Sequence, residues 1–474
     1  MIIFYQTYHS LSNLNLLFGY FYYIFFISFI GTNIKQLILL IGDIFWLYLA
    51  LFLSLAIRFQ KDPGTELWAR HWPTFTIVFF LWLAVFYISG LYDLRRAKNT
   101  LAFFGSFATS LFFNLLLTIG FFYILNIQEL SPKTILLIFT GLYLAIFSVW
   151  RLVAHYLLSS TAFRSRLLFL GLSPEAQELI DIFQKDSQLG YETVAVLNPN
   201  NGEMQNAESL LAYIKNKKID TIILASADLK TQLGNVLYAA ILSRVNVYSL
   251  DTFFENITHR VPLSALSQGW FLENLKNPEK NAYETIKRWI DLLLALIMFI
   301  PFAILFLPIA LLIKIGSKGT IFYKQTRVGQ DGRTIFIYKF RTMIPNAEQN
   351  GPQFTSPNDA RVTMVGKFLR VLRLDELPQA INILKNEMSF IGPRPERPEF
   401  VTELQKVTPF YNARHLIKPG LTGWAQTNYK YTDSLEGNLI KLQYDLFYIK
   451  NRSLLLDALT LLKTFNAIIK RTGR

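Results

Sequence analysis

One long apolar stretch, LLLALIMFIPFAILFLPIALLIKIG at Leu292–Gly316, decides the fold class of this chain. Its continuous apolar part, from Leu292 to Ile313, can cross a bilayer, which takes roughly 20 residues. Pro301 and Pro308 lie inside it, and each removes a backbone donor and favours a bend. A bent spanning helix, supported by neighbouring helices, is one interpretation. We favour a re-entrant helix over about residues 287–315 that dips into the membrane and returns.

Charged residues lie at both ends of this stretch. Lys287, Arg288 and Asp291 precede its apolar part, and Lys314 and Lys318 follow it. Positive charge at both ends would suit anionic headgroups on a single face of the membrane. The charge pattern therefore agrees with a re-entrant helix.

Further apolar runs predict a transmembrane bundle in residues 1–160. Four of them are long enough to span a bilayer: Leu37–Ile57, Thr74–Leu91, Leu101–Leu125 and Thr134–Leu157. An earlier run, Leu14–Ile30, lacks the features of a signal peptide and is either a fifth span or an upstream extension. Basic residues follow the last run at Arg164 and Arg166, so the positive-inside rule places the rest of the chain in the cytoplasm.

The composition excludes several kinds of site. The 474-residue chain has a net charge of +14 and no cysteine, which excludes disulfides, thiolate metal sites and a cysteine nucleophile. Its five histidines are scattered without the spacing of zinc ligands. A basic chain can bind nucleic acid, anionic lipid or phosphorylated substrates. Membrane proteins also carry lysine and arginine on cytoplasmic loops, which accounts for part of the charge. The apolar runs favour a lipid bilayer, and we expect no nucleic acid.

Residues 161–265 alternate between strand and helix patterns, which indicates a small parallel α/β domain. The sequence predicts strands at RLLFLGL, YETVAVL and TIILASA and a helix at SPEAQELIDIFQKD, which are residues 166–172, 191–197, 221–227 and 173–186. A dinucleotide would need a glycine-rich turn after the first strand. This turn retains Gly171, but Ser173 carries a side chain where the pyrophosphate would approach. We interpret this part as a degenerate Rossmann-like cytoplasmic domain without a cofactor.

The carboxyl-terminal part, residues 280–474, contains the residues that suggest chemistry. In RLDELPQAINILKNEMSFIGPRPE (Arg373–Glu396), the adjacent carboxylates Asp375 and Glu376 begin a predicted helix, and a Gly-Pro-Arg-Pro corner follows it. Such carboxylates are commonly only capping groups, worth about 1 kcal/mol. Here they lie among the cations of neighbouring motifs, which are Lys339, Arg341, Arg370, Arg373 and Arg394.

Paired acids among cations point to phosphate chemistry. Mg²⁺ prefers one or two carboxylates together with substrate phosphates. Lysine and arginine stabilise the charge that develops as a phosphoryl group moves. Since the apolar helix would bring in a lipid, the residues alone suggest phosphoryl transfer at a bilayer surface.

Three ordered runs in this part are typical of one protein family. They read IFYKQTRVGQDGRTIFIYKFRTM, LRVLRLDELPQAINILKNEMSFIGPRPE and KPGLTGWAQTNYKY, at Ile321–Met343, Leu369–Glu396 and Lys418–Tyr431. They resemble the bacterial sugar transferase family over about Tyr283–Arg474, and the upstream parts resemble its long form more weakly. The resemblance implies a multi-pass protein of the bacterial inner membrane with its small mixed catalytic domain on the cytoplasmic face. It also implies transfer of a sugar-1-phosphate from a nucleotide diphosphate sugar, which we expect to be a UDP-sugar, to undecaprenyl phosphate with Mg²⁺. This is the first membrane step of surface polysaccharide or glycoconjugate synthesis.

The resemblance also assigns roles to individual residues. It makes Asp375 the nucleophile and Glu376 a residue that helps to hold Mg²⁺. Other positions of the family's motifs, which would bind phosphates or shape the pocket, are Lys339, Arg341, Arg370, Pro393, Arg394 and Pro395. The acceptor phosphate is largely ionised at neutral pH, so a general base has little to remove, and a carboxylate that attacks first divides one displacement into two. Direct attack by the lipid phosphate, with Asp375 as a second metal ligand, is the alternative.

One position departs from the family pattern. The family's membrane helix usually breaks at an Xaa-Pro pair where this chain has Ala303-Ile304, so the break is shifted to, or shared between, Pro301 and Pro308.

Two other functions compete with this interpretation. A membrane-bound NAD-dependent dehydratase or epimerase of nucleotide sugars would need the nicotinamide loop that Ser173 interrupts. A transport or scaffold protein would leave the carboxyl-terminal motifs unexplained. A homodimer is compatible with the predicted bundle.

Overall fold

The computed structural model describes most of the chain, with gaps. The described residues are 34–60, 63–94, 100–124, 132–158, 164–186, 189–197, 207–226, 228–275, 280–345, 347, 359–429 and 434–469. The apolar run Leu14–Ile30 lies outside them, so a fifth span there stays a prediction. The chain divides into two compact units, Met1–Ser249 and Leu250–Arg474.

Long apolar helices make up the first part of the amino-terminal unit. They are α1 (Ile34–Phe59), α2 (Gly64–Ile88), α3 (Leu101–Ile124) and α4 (Pro132–Leu158). Each contains a stretch that is long and apolar enough to cross a membrane, and each coincides with one of the four predicted spans. Their core is rich in buried aromatic rings, among them Phe75, Trp82, Phe139 and Tyr143.

Two charged residues interrupt these apolar helices and pair with each other. Asp43 of α1 and Arg151 of α4 form a buried ion pair of 2.6 Å. Tyr92 and Trp150 donate further hydrogen bonds to the Asp43 carboxylate, at 2.7 and 3.0 Å. A buried charge is strongly destabilising unless it is paired. The pairing therefore accounts for both charges without a role in catalysis.

A parallel four-stranded sheet follows the bundle. Its strands are β1 (Ser165–Leu170), β2 (Tyr191–Leu197), β3 (Thr221–Leu224) and β4 (Asn246–Ser249), in the order β2-β1-β3-β4. The intervening helices are α5 (Pro174–Lys185), α6 (Ala207–Asn216), α7 (Asp228–Gln232) and α8 (Gly234–Leu242). The three predicted strands and the first predicted helix are confirmed. Strand β4 has no counterpart among the predicted strands, and it is only four residues long.

The carboxyl-terminal unit mixes helices with short strands. Its helices are α9 (Leu250–Thr258), α10 (Gln268–Asn274), α11 (Lys280–Gly316), α12 (Met364–Val371), α13 (Ala380–Leu384), α14 (Pro398–Val407), α15 (Trp424–Asn428), α16 (Leu435–Asn451) and α17 (Leu454–Ile469). An antiparallel hairpin pairs β5 (Phe322–Val328) with β6 (Thr334–Phe340), and β7 (Ser389–Ile391) pairs in parallel with β8 (Gly420–Thr422). Short 3₁₀ helices of the same unit are Leu263–Ala265, Gln330–Gly332, Leu374–Gln379 and Pro409–Leu416.

The apolar helix α11 is one continuous element that includes Pro301 and Pro308. One face packs on the rest of the unit, where Ala295 meets Ile335 and Ile337 of β6, and Phe302 meets Phe340. The other face is exposed and apolar along its whole length, with Trp289, Leu293, Leu296, Ile297, Ile300, Ile304, Leu307, Leu311 and Ile315. Such a large exposed apolar face marks a membrane or protein contact.

The amino-terminal end of α11 is attached to the unit by its charged residues. Lys287 pairs with Asp457 at 2.8 Å, and Arg288 donates to the carbonyls of Ile383 and Leu384 at 2.7 and 3.1 Å. The Asp291 carboxylate accepts a hydrogen bond from the Phe390 amide at 2.9 Å. Lys287 and Arg288 are therefore engaged by the carboxyl-terminal unit, whereas Lys314 at the other end of the helix is exposed.

Candidate active site

The adjacent carboxylates Asp375 and Glu376 lie in the first turn of a helical segment, as the sequence predicts. That segment begins as a 3₁₀ helix at Leu374–Gln379 and continues as α13. Arg373 precedes it in the left-handed region, with φ 57°. The 3₁₀ segment packs against β6, which brings Lys339 of that strand to the two carboxylates.

Glu376 is surrounded by three cations. Its Oε1 atom accepts hydrogen bonds from Lys339 Nζ at 2.8 Å and from Arg394 Nη2 at 3.2 Å. Its Oε2 atom lies 3.7 Å from Arg373 Nη1. Glu376 thus links Lys339 of β6, Arg394 of the Gly-Pro-Arg-Pro corner and Arg373, which precedes the helical segment, into one cluster. The sequence identified Lys339 and Arg394 as site residues, and the structure brings both to the same carboxylate oxygen.

Asp375 has a different environment, although it is the neighbouring residue. It is buried, with 8% of its surface exposed. In the part of the chain that the structure describes, no hydrogen bond or ion pair reaches its carboxylate. A buried carboxylate without protein partners is available to a metal ion or to a reacting atom.

The two carboxylates also differ in protonation. Burial raises the pKa of Asp375, and the neighbouring Glu376 charge raises it further, to about 6. Burial also acts against ionisation of Glu376, but Lys339, Arg394 and Arg373 together lower its pKa well below the usual range. These cations therefore lower the pKa of Glu376, whereas the pKa of Asp375 stays raised.

Arg370 and Arg341 lie outside the ring of cations around Glu376. Arg370 of α12 donates from Nε to the Thr342 hydroxyl at 2.9 Å, and its charge acts on Asp375. Arg341 donates from Nη2 to the Ser317 carbonyl and hydroxyl at 2.9 and 2.8 Å. It therefore binds the residues directly after α11. A Cβ atom on Gly319 would collide with the Arg341 guanidinium in its present position, and the φ of 139° also favours glycine there.

We expect Arg341→Lys to destabilise the protein without weakening binding of a phosphorylated donor. Lysine cannot reproduce two hydrogen bonds from one planar group, and hydrogen bonds to a charged group are worth about 1.5–3 kcal/mol. Thermal unfolding in detergent should show a lower Tm, while the donor KM stays within about twofold. Lys318→Ala, at an exposed position beside the same loop, is the matched control. A donor KM that rises tenfold or more would give Arg341 the phosphate-binding role that the sequence suggested.

The Gly-Pro-Arg-Pro corner presents one side chain to the site. Pro393 and Pro395 are buried, and their carbonyls accept hydrogen bonds from Gly420 N and Arg327 Nη1, at 2.9 and 3.1 Å. The prolines therefore shape the corner, and Arg394 is the residue that reaches Glu376. Sequence reasoning missed Arg327, although it lies in the Ile321–Met343 run. It also missed the buried Arg414, which has no distinguishing pattern around it.

The two carboxylates fit a magnesium ion that is held partly by substrate. Mg²⁺ is commonly bound by one or two carboxylates together with phosphate oxygens and water. No described residue donates a hydrogen bond to either Asp375 oxygen, and the lowered pKa of Glu376 keeps the neighbouring carboxylate ionised. Among the described residues, no group of three or more carboxylates and histidines could form a metal site by itself.

The fold and the site define a membrane-associated protein whose apolar helix adjoins a carboxylate pair set among cations. The chain belongs to the bacterial sugar transferase family, whose profile matches residues 282–471. It is 36% identical over 190 residues to EpsL, an uncharacterized sugar transferase of Bacillus subtilis (strain 168), which covers 40% of this chain and 89% of EpsL.

Two longer relatives carry more specific names. The chain is 42% identical over 246 residues to a UDP-N-acetylgalactosamine-undecaprenyl-phosphate N-acetylgalactosaminephosphotransferase of Aeromonas hydrophila, covering 52% of this chain but only 57% of that relative. It is 29% identical over 387 residues to a UDP-glucose:undecaprenyl-phosphate glucose-1-phosphate transferase of Klebsiella pneumoniae, covering 76% of this chain and 80% of that relative.

Proposed function

We propose that this protein transfers a sugar-1-phosphate from a UDP-sugar to undecaprenyl phosphate at the cytoplasmic face of the bacterial inner membrane. The observation that carries the proposal is the pair of unlike carboxylates: Asp375, which accepts no hydrogen bond from the described residues, and Glu376, which is fixed by three cations. The relatives' names supply the donor and acceptor classes. No motif specifies the sugar, and the two named relatives use different ones.

The reaction proceeds in two displacements at one phosphorus atom. A carboxylate oxygen of Asp375 attacks the phosphorus bonded to the sugar, and the bond to the departing UMP breaks. An oxygen of undecaprenyl phosphate then attacks the same phosphorus, and the bond to Asp375 breaks. Neither step requires a proton to be removed from a nucleophile, because both nucleophiles are anions. Lys339, Arg373 and Arg394 stabilise the negative charge that develops on the phosphoryl oxygens.

Asp375 and Glu376 would hold Mg²⁺, which neutralises charge on the diphosphate when bound. The chain's own contribution is the placement of the ligands. Lys339 and Arg394 fix the Glu376 side chain through its Oε1 atom. Asp375, the neighbouring carboxylate, would supply the attacking oxygen.

The lipid acceptor would approach along the exposed face of α11. In this proposal α11 is re-entrant: it bends at Pro301, Pro308 or both within the continuous helix and returns to the cytoplasmic surface. A second exposed apolar surface lies close by on α12. There Met364, Phe368 and Val371 are exposed in 88, 57 and 48% of their surface, and the same helix carries Arg370 toward the site. Exposed apolar residues on a short amphipathic helix favour contact with the bilayer interface. Both surfaces support an active site at the membrane.

The α/β domain is proposed to be Rossmann-like without a dinucleotide. The Ser173 hydroxyl accepts a hydrogen bond from Ala176 N at 3.2 Å and so caps α5. Its side chain therefore occupies the helix start at which a pyrophosphate would bind.

We also propose that two chains associate into a homodimer. The mass of the detergent-solubilised protein tests this association.

Release of UMP tests this function directly. Purified protein in detergent is given a panel of UDP-sugars, with undecaprenyl phosphate and Mg²⁺ present or individually omitted. We expect sugar diphospholipid, and UMP beyond one equivalent per enzyme, only in the complete mixture, for at least one donor. Absence of lipid product with every donor, from a folded protein, would refute the proposal. Formation of NADH with NAD⁺ present would favour the dehydratase or epimerase alternative instead.

We expect the carboxyl-terminal unit alone to retain transfer activity. Leu250–Arg474 forms its own compact unit, and EpsL is matched over 89% of its length by only 190 residues of this chain. A protein that lacks residues 1–249 should keep kcat/KM within about tenfold of the full chain, because domains of this size fold independently. The comparison is made in the same detergent, with Asp375→Asn in both lengths as the background. A folded but inactive short protein would assign a catalytic requirement to the removed part.

A further inference from the structure

We infer that Arg414 and Arg327 are positioning residues for Arg394. They hold backbone carbonyls of the corner Pro393–Glu396 and thereby set where the Arg394 guanidinium meets Glu376. The inference rests on the proposed function, since it matters only if Glu376 belongs to the active site.

Four consecutive carbonyls of the corner are held from outside it. The donors are Gly420 N to Pro393 at 2.9 Å, Arg414 Nη2 to Arg394 at 2.9 Å, Arg327 Nη1 to Pro395 at 3.1 Å, and Val328 N to Glu396 at 2.9 Å. The two prolines have no backbone N–H, so the corner has few donors with which to fix itself. Its position is therefore set by β5, β8 and the segment Pro409–Leu416.

Arg414 is itself held rigidly and is buried, with 4% of its surface exposed. Its Nη2 atom also pairs with Asp445 Oδ2 at 2.8 Å, and its Nη1 atom donates to the Tyr411 hydroxyl at 2.6 Å. Because Asp445 neutralises the guanidinium in this buried position, Arg414 is not placed to receive a substrate phosphate. Its remaining contacts are with the corner: the Arg394 carbonyl at 2.9 Å and a Glu396 carboxylate oxygen at 3.9 Å from Nη1.

Arg327 makes the equivalent contact with the next carbonyl of the corner, that of Pro395. Its guanidinium donates to Gln325 Oε1 at 2.6 and 3.1 Å and lies 3.6 Å from a Glu396 carboxylate oxygen. Both arginines therefore use planar groups with several donors, which lysine cannot imitate.

The hydrogen bond between Arg394 and Glu376 tolerates only a small displacement. Arg394 Nη2 lies 3.2 Å from Glu376 Oε1, so a displacement of about 1 Å would end the hydrogen bond. A misplacement of that size in an active site can reduce the rate by about 10²-fold. Substitution of Arg414 should therefore reduce activity through Arg394, although Arg414 does not contact Glu376.

A double-mutant cycle between Arg414→Lys and Arg394→Ala tests the inference. Arg414→Lys keeps the charge but cannot bridge Tyr411, Asp445 and the Arg394 carbonyl together. We expect it to lower kcat/KM by about 10-fold to 100-fold in the otherwise native protein. In the Arg394→Ala background the same substitution should change kcat/KM less than about twofold, because the group that it positions is gone.

The controls separate positioning from folding and from substrate binding. Arg452→Lys alters an arginine that likewise binds a carboxylate and a carbonyl, those of Glu284 and Ile449, and should leave kcat/KM unchanged. If Arg414→Lys does not fold, as judged by thermal unfolding, Asp445→Asn enters the same cycle. An equal loss of kcat/KM, or an equal rise in donor KM, in both backgrounds would overturn the inference. Failure of the native protein to transfer sugar phosphate at all would instead refute the proposed function.

Discussion

Asp375→Asn should abolish transfer, with kcat reduced by roughly 10³-fold or more. Asparagine has nearly the same shape as aspartate, so it can occupy the same buried position, but its amide oxygen is a poor nucleophile and a weak metal ligand. Because the Asp375 carboxylate has no hydrogen bond or ion pair among the described residues, the substitution removes reactivity without breaking a contact that stabilises the fold. We expect the variant to insert in the membrane and to unfold at the temperature of the native protein.

A covalent intermediate gives this prediction a second readout. Native protein incubated with a UDP-sugar and Mg²⁺, without undecaprenyl phosphate, should release UMP in a stoichiometric burst and gain the mass of a sugar phosphate on Asp375. Asp331→Asn, an exposed position in the β5–β6 turn, is the matched substitution and should behave as native. Wild-type turnover in Asp375→Asn would eliminate the nucleophile role. An inactive variant together with native protein that shows neither burst nor adduct would support direct attack by the lipid phosphate.

Glu376→Gln should lower kcat by about 10²-fold to 10³-fold and raise the Mg²⁺ concentration needed for half-maximal activity at least tenfold. The substitution leaves Lys339, Arg373 and Arg394 facing one another without the anion that they share. Their mutual repulsion should displace Lys339 and Arg394, which both donate to Glu376 Oε1 in the native protein. The uncharged amide also binds Mg²⁺ weakly. Initial rates measured across a Mg²⁺ titration check both effects.

The control for this variant is Glu403→Gln, which removes one negative charge from the exposed surface of α14. It should leave both kcat and the Mg²⁺ dependence unchanged. If Glu376→Gln has the native Mg²⁺ dependence but a low kcat, Glu376 organises the cations and is not a metal ligand. A native kcat would remove Glu376 from the catalytic machinery altogether.

Much of this architecture can be predicted from the sequence, because it depends on long apolar runs and on dense local motifs. The four upstream spans coincide with α1 to α4, and the buried runs at β1 and β3 coincide with strands. The helix that begins at Asp375 and Glu376 also lies where Pro378 and the apolar spacing predict it. In each case the signal comes from residues close together in the chain, and burial or backbone geometry explains it.

The roles of individual cations could not be predicted in the same way. Lys339 and Arg341 are two residues apart, yet Lys339 reaches Glu376 whereas Arg341 binds the end of α11. Which way each side chain points depends on where its strand ends and on the approach that Gly319 permits. Arg414 and Asp445 are 31 positions apart, and only the tertiary fold shows that they form one buried pair.

The Asp43–Arg151 pair has a consequence for biosynthesis. These residues are separated by 108 positions in the chain, so a ribosome delivers α1 to the insertion machinery long before α4 exists. An unpaired aspartate in the middle of a nascent span costs roughly 2.5–3.5 kcal/mol on insertion scales. Helix α1 should therefore be retained at the translocon until its arginine is made, and chains stalled before α4 should be targets for membrane quality-control proteases.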